Sequence, residues 1–254
     1  MYQLPIEQQI LLVAQIVALV VLCARLWWDG LYKIYVYFFG YLFLELLQSV
    51  VPLVVPLHSR MYRDSYVASQ ALIICFSALV VLELYSIVLT GLAGIANVSR
   101  RYIKVILVLA VLVSLLPLSV EKTPNTVTGY LFLFQRPIVT SLLIFILLIT
   151  AFLVYYPVPL GRNVLAYLMG YAVFYITNAT SIFIRNLGHY WTRPISDVNM
   201  AVYFTCLAFW LFALSPSGET KRVVVGHQWN PSDDGRLLAQ LEAINASLLR
   251  SGRK

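Results

Sequence analysis

The chain reads as an all-α membrane protein: a polytopic bundle of about seven transmembrane helices followed by an amphipathic cytoplasmic helix. Three observations carry that class. Of 254 residues 61% are hydrophobic and only 11% charged, with a mean hydropathy of +0.82, against roughly 25% charged in an average soluble chain. The apolar residues gather in runs of bilayer-crossing length that leave no room for a soluble domain beyond a C-terminal tail. The Lys and Arg residues behind the net charge of +7 lie in short patches between those runs. Membrane proteins present basic residues to anionic headgroups and the cytoplasm in this way, so a nucleic-acid partner is not expected.

The first run, Ile10 to Leu26, follows Glu7 and no basic residue, so it lacks the positive n-region of a secretory signal and is expected to remain as a span. It closes in Arg25, Trp27, Trp28 and Asp29, residues suited to headgroup level. The second run, Ile34 to Leu57, carries Glu45 and Gln48 before Pro52 and Pro56, prolines that kink or end it. Tyr66 to Thr90 is the third run and holds Gln70 and Glu83. It ends at Gly91, Gly94 and the basic group Arg100, Arg101 and Lys104.

Val105 to Val120 is the fourth and shortest run, and Glu121 to Gly129 reads as a turn-rich loop. Ile138 to Tyr156 follows Gln135, Arg136 and Pro137 as the fifth run. Pro157, Pro159 and Gly161 break the chain before Val164 to Ile184, the sixth, and Val198 to Leu214 is the seventh. Two parts result: a seven-helix transmembrane domain over 1–215 and a cytoplasmic tail over 216–254. With seven spans, one side carries six Lys and Arg and the other, which includes the tail, carries twelve. The positive-inside rule then puts the N-terminus outside and the C-terminus in the cytoplasm, with Arg100, Arg101 and Lys104 as cytoplasmic markers.

In the tail, Asn230, Pro231 and Asp233 supply a helix-start pattern and Gly252 a stop. Leu237, Leu241, Ile244 and Leu248 recur at spacings of 4, 3 and 4. They form a narrow apolar seam on a helix over about 231–250. Two heptads are too short to stand alone, so the seam is expected to dock on the bundle, on a second copy or on another subunit.

Glu45 and Glu83 are acids inside apolar runs. Each costs on the order of 2 to 3 kcal/mol at a helix centre, so both should face the bundle interior. Counting along each run puts them near one depth, with Gln15 and Gln48 at neighbouring levels. The four form a candidate proton, cation or small-ligand cluster, or else serve as interhelical hydrogen-bonding groups.

Several chemistries are excluded. No lysine lies in a run to carry a Schiff base, and His58, His189 and His227 fall in loops or tail, away from any intramembrane haem. No metalloprotease or nucleophile-elbow motif occurs. Cys23, Cys75 and Cys206 lack metal or disulfide spacing. No cofactor, no metal and no catalytic residue is expected, although His58, Asp64, Glu121, His189 and Asp197 fall on one side as a loose charged belt.

Certain stretches look familiar: Leu31-Tyr32-Lys33 leading into Phe38-Phe39-Gly40-Tyr41, Leu82-Glu83-Leu84-Tyr85 before Gly94-Ile95 and Arg100-Arg101, and Trp229-Asn230-Pro231 before Leu237-Leu238. In these the chain resembles a group of uncharacterised bacterial seven-helix integral membrane proteins. The resemblance implies a helical protein of a bacterial inner membrane and brings no activity or site residue. The expected function is a non-enzymatic subunit or scaffold, docking through its tail helix to itself or to other subunits in the bilayer. The alternative is a sensor or transporter built on Glu45 and Glu83.

Overall fold

The computed structural model describes residues 6–55, 59–88, 127–155, 158–187 and 192–225, with 239, 240, 242, 243 and 246 in the tail. Six long helices account for most of it. They are α1 (Ile6–Trp28), α2 (Val36–Val54), α3 (Arg60–Val88), α4 (Val127–Tyr155), α5 (Arg162–Leu187) and α6 (Thr192–Ala213). A short α7 (Pro216–Thr220) follows, and a two-stranded sheet pairs β1 (Val158–Gly161) with β2 (Arg222–Val225). Among the described residues, three helices are long and apolar enough to cross a bilayer, over Gln8–Trp28, Arg60–Val88 and Pro194–Ala213, while Val36–Pro52 and Gln135–Ala151 are shorter apolar stretches.

The long helices pack in a closed ring in chain order, α6 returning to α1. Their directions follow from the side-chain pairs. Gln8 donates to Asp197 at 2.6 Å, and Arg25, seventeen residues on, donates to the Leu211 carbonyl, so α1 and α6 run the same way. Helices α3 and α4 are also parallel, since Ile73 and Ser77 share a cavity wall with Ile138 and Leu142 while Tyr85 packs on Phe145 further along. The bundle therefore has a sheet end, where α1, α3, α4 and α6 finish, and a far end, where they begin.

Large apolar residues point outward as well as inward. Phe212 is 80% exposed and Leu148 63%, while Leu19, Phe38, Val80, Ile146 and Leu207 are fully buried. An exterior this apolar suits lipid, which has no need of a polar surface. Helices approach closely where a glycine removes the side chain. A Cβ on Gly40 of α2 would stand 2.5 Å from the Phe76 ring of α3, and one on Gly170 of α5 would stand 2.3 Å from Nε1 of Trp210 on α6.

Several boundaries differ from the sequence expectation. Pro137 lies inside α4, which starts at Val127, within the stretch expected as a loop. A bundle interior tolerates the lost backbone bond, because neighbouring helices re-satisfy the freed carbonyl. Pro159, expected only as a breaker, pairs with Val224 in the sheet. A two-stranded sheet leaves every strand with an open edge, and an edge accommodates proline. The ladder continues through the Arg162 amide, which donates to the Lys221 carbonyl at 3.0 Å.

At the turn after α1, Gly30 takes φ 70°. This left-handed value ends the helix without strain. The Trp27 ring stacks on Tyr32 at 4.6 Å between centroids, which gives the expected interfacial group a definite form. The fourth apolar run, Arg100, Arg101 and Lys104 lie outside the described residues, as do Leu237, Leu241, Ile244 and Leu248. The described tail residues, Ala239, Gln240, Glu242, Ala243 and Ala246, are helical and exposed.

Candidate functional site

The four polar residues singled out by the sequence divide among three places. Gln15 is buried between α1 and α6, where its amide donates to the Met200 carbonyl at 2.8 Å. Glu83 lies at the sheet end of the bundle, against the start of α2. Its carboxylate accepts the backbone amides of Tyr37 at 3.0 Å and Phe38 at 3.1 Å, and the Tyr167 hydroxyl at 3.4 Å. Those amides belong to the first turn of α2, where no helical carbonyl is available to them and the helix dipole is positive. An acid on α3 thus serves as the N-terminal cap that Tyr35, at the cap position, does not supply.

Glu45 is the middle residue of α2. It stands seven residues beyond Phe38, about 10 Å along the axis at 1.5 Å per residue, so the two acids are not at one depth. The level of Glu83 is set by the first turn of α2, which it caps, and not by its distance along its own run from Thr90. Glu45 and Gln48 do belong together. The Gln48 amide donates to the Gln70 side-chain carbonyl at 2.8 Å, and Glu45 and Gln70 share the wall of one cavity.

That cavity, of about 50 Å³, lies between α2, α3, α4 and α5. Its polar lining is Tyr41, Glu45, Gln70, Ser77, Gln135, Tyr175 and Asn178, and apolar residues such as Ile73 and Leu142 complete the wall. The volume admits a few waters or one small partly hydrated ion, since about 10 to 15 Å³ of such space is needed per water. Within it the Tyr41 hydroxyl donates to Glu45 at 2.9 Å and the Ser77 hydroxyl donates to its own helix at Ile73, 2.7 Å away. The carboxylate is left with free acceptor capacity in a chamber rich in hydroxyl and amide oxygens. Such a set suits a proton or a hard monovalent cation.

Sequence reasoning missed the tyrosines. Tyr167, Tyr171 and Tyr175 recur at intervals of four on α5 and are 0%, 0% and 1% exposed. That spacing was a readable sign of a polar stripe on one helix face. Among the described residues, the hydroxyls of Tyr171, Tyr175 and Tyr203 and Nε1 of Trp210 are buried without a hydrogen-bond partner. An unpaired buried donor costs about 1 to 3 kcal/mol, so phenylalanine would pack there at less cost.

A second polar group closes the sheet end. Asn163, fully buried, donates to the Ser215 carbonyl and to Glu219 Oε1, both at 2.7 Å, and accepts the Ser215 amide at 3.2 Å. The Tyr35 hydroxyl donates to the same Glu219 oxygen at 2.6 Å. The chain after α6 is therefore folded back onto the bundle as far as β2, and does not leave it at Leu214.

In the charged belt at the far end, Asp197 accepts Gln8 and Asp64 pairs with Arg63 at 3.3 Å. His58, Glu121 and His189 lie outside the described residues. No family model, curated protein or solved structure matches the chain.

Proposed function

We propose that the protein is a bacterial inner-membrane sensor or transporter component that takes up one monovalent cation, a proton or an alkali ion, at Glu45. The observation that carries this reading is a carboxylate at the middle of a bundle helix, lining a small cavity with unpartnered tyrosine hydroxyl at its wall. With α2 read as one of the spans, its middle lies near the bilayer midplane, where an acid is costly and marks an ion or proton pathway. Glu83 has a structural role in this reading, as the cap of α2.

The seven-span count is part of the proposal. Helix α3 finishes at the sheet end and α4 starts at the far end, and Val105 to Val120 is the apolar run that lies between them in the sequence. The excess of basic residues assigns the sheet end to the cytoplasm. A second reading, a subunit or scaffold docking through the tail helix, is favoured by the Asn163 and Glu219 contacts. They hold the root of the tail at a fixed point on that end.

The test is thermal unfolding of the full-length protein in mild detergent, with pH varied and with sodium, potassium or choline chloride added. A bound ion stabilises by about 2.7 kcal/mol at a hundredfold excess over Kd. Wild type is expected to gain stability with protons or an alkali cation but not with choline, and Glu45→Gln to lose that gain. A full gain in Glu45→Gln would end the reading.

A further inference from the structure

The buried tyrosines join the two carboxylate levels of the bundle. Tyr35 packs on Tyr167 at 5.3 Å between ring centroids, Tyr167 on Tyr171 at 5.1 Å, Tyr171 on Tyr175 at 5.7 Å and Tyr171 on Tyr41 at 6.1 Å. At the sheet end the column is tied to acids, Tyr35 to Glu219 and Tyr167 to Glu83. At its inner end Tyr41 is bonded to Glu45 and Tyr175 lines the same cavity. Between these, the Tyr171 and Tyr175 hydroxyls have no hydrogen-bond partner among the described residues.

We propose that this column is a proton path from the sheet end to Glu45, which makes the proton the ion of that site; the inference rests on the Glu45 reading above. Four residues of helix rise put successive α5 tyrosines about 6 Å apart along the axis. That is too long for one hydrogen bond and matches two in series through a single water. At each step an oxygen takes a proton on a lone pair and releases its own to the next, so every phenol and water ends neutral. The proton that arrives forms the O–H of Glu45, and the one that enters at the sheet end comes from solvent by way of the Glu219 carboxyl, which takes it up and passes it to Tyr35 and so ends as it began.

Among the described residues, the titratable groups that interact with Glu45 are Tyr41 on its own helix, Tyr175 from α5 and Tyr203 from α6. Gln70, Ser77 and Gln135 face it from α3 and α4 and are neutral. Cys23 of α1 and Cys206 of α6 flank Tyr203. An alkali ion has no such route, because the column offers single hydroxyls in turn, too few oxygens to replace the hydration shell of a hard cation.

The experiment is a pH jump on the full-length protein in nanodiscs, following the protonated-carboxyl infrared band that Glu45→Gln removes. Tyr171→Phe and Tyr175→Phe should each slow its appearance roughly tenfold or more, since a positioned proton-transfer group contributes about 10²–10⁴ in rate. Final amplitude should stay at the wild-type level, with Tyr32→Phe, off the column, unchanged in both. Wild-type rates in both column variants overturn the path while leaving the site intact. A band that survives Glu45→Gln overturns the site itself.

Discussion

Glu83→Leu is expected to lower the unfolding free energy by about 2 to 4 kcal/mol, because two amides in the first turn of α2 and one tyrosine hydroxyl lose a charged acceptor together. Leucine fills similar space, so lost packing contributes little. The Tyr37 and Phe38 amides have no alternative partner within α2, as the first amides of a helix lack an intrahelical carbonyl. Glu83→Gln retains an oxygen for one amide and should lose about half as much. The measurement is equilibrium unfolding in mixed micelles, joined to hydrogen exchange at Tyr37 and Phe38. Faster exchange at those two amides, with the rest of α2 still protected, identifies the loss as local uncapping. Unchanged exchange in Glu83→Leu would show that the carboxylate does not hold that helix end.

Gly170→Ala should destabilise by about 1 to 3 kcal/mol, the range for overpacking a filled interior. The added methyl would meet Nε1, Cε2 and Cζ2 of Trp210 at 2.3, 2.5 and 2.9 Å. Trp210 is fully buried, and its ring sits between Phe38 at 5.1 Å and Tyr171 at 4.9 Å, so it cannot swing aside. The Cys206 thiol against the Gly170 carbonyl, at 3.7 Å, shows the same close approach of α5 and α6. A double-mutant cycle with Trp210→Leu isolates the contact. In the shorter-side-chain background the alanine should cost much less, and equal costs in both backgrounds would place the strain elsewhere.

Class and helix positions were legible because hydrophobic runs of bilayer length leave few alternatives. Six of the seven runs correspond to described helices, and Val105 to Val120 lies outside the described residues. Helix ends were not legible where proline was read by its local rule alone. Pro137 continues a helix and Pro159 joins a strand, both decided by neighbours distant in sequence. The candidate site was half legible. Glu45 and Gln48 share a helix turn, so their association follows from spacing. The caps of Glu83 and the Gln15 bond to Met200 cross between helices, and cross-helix register is set by packing that one sequence does not display. Glu219 drew no attention in the tail, since a glutamate in a polar segment looks solvated until Asn163 and Tyr35 are seen to meet it.

If Glu45 exchanges a proton in the mid-bundle cavity, as proposed, equilibrium infrared titration of the purified full-length protein will detect it. Wild type should show a carboxyl C=O band that grows as pH falls and shifts in deuterium oxide. Glu45→Gln should remove that band while leaving the helical amide signature unchanged, and Glu83→Gln should leave the band in place. A titration curve in which Glu45→Gln and wild type superimpose would contradict the account.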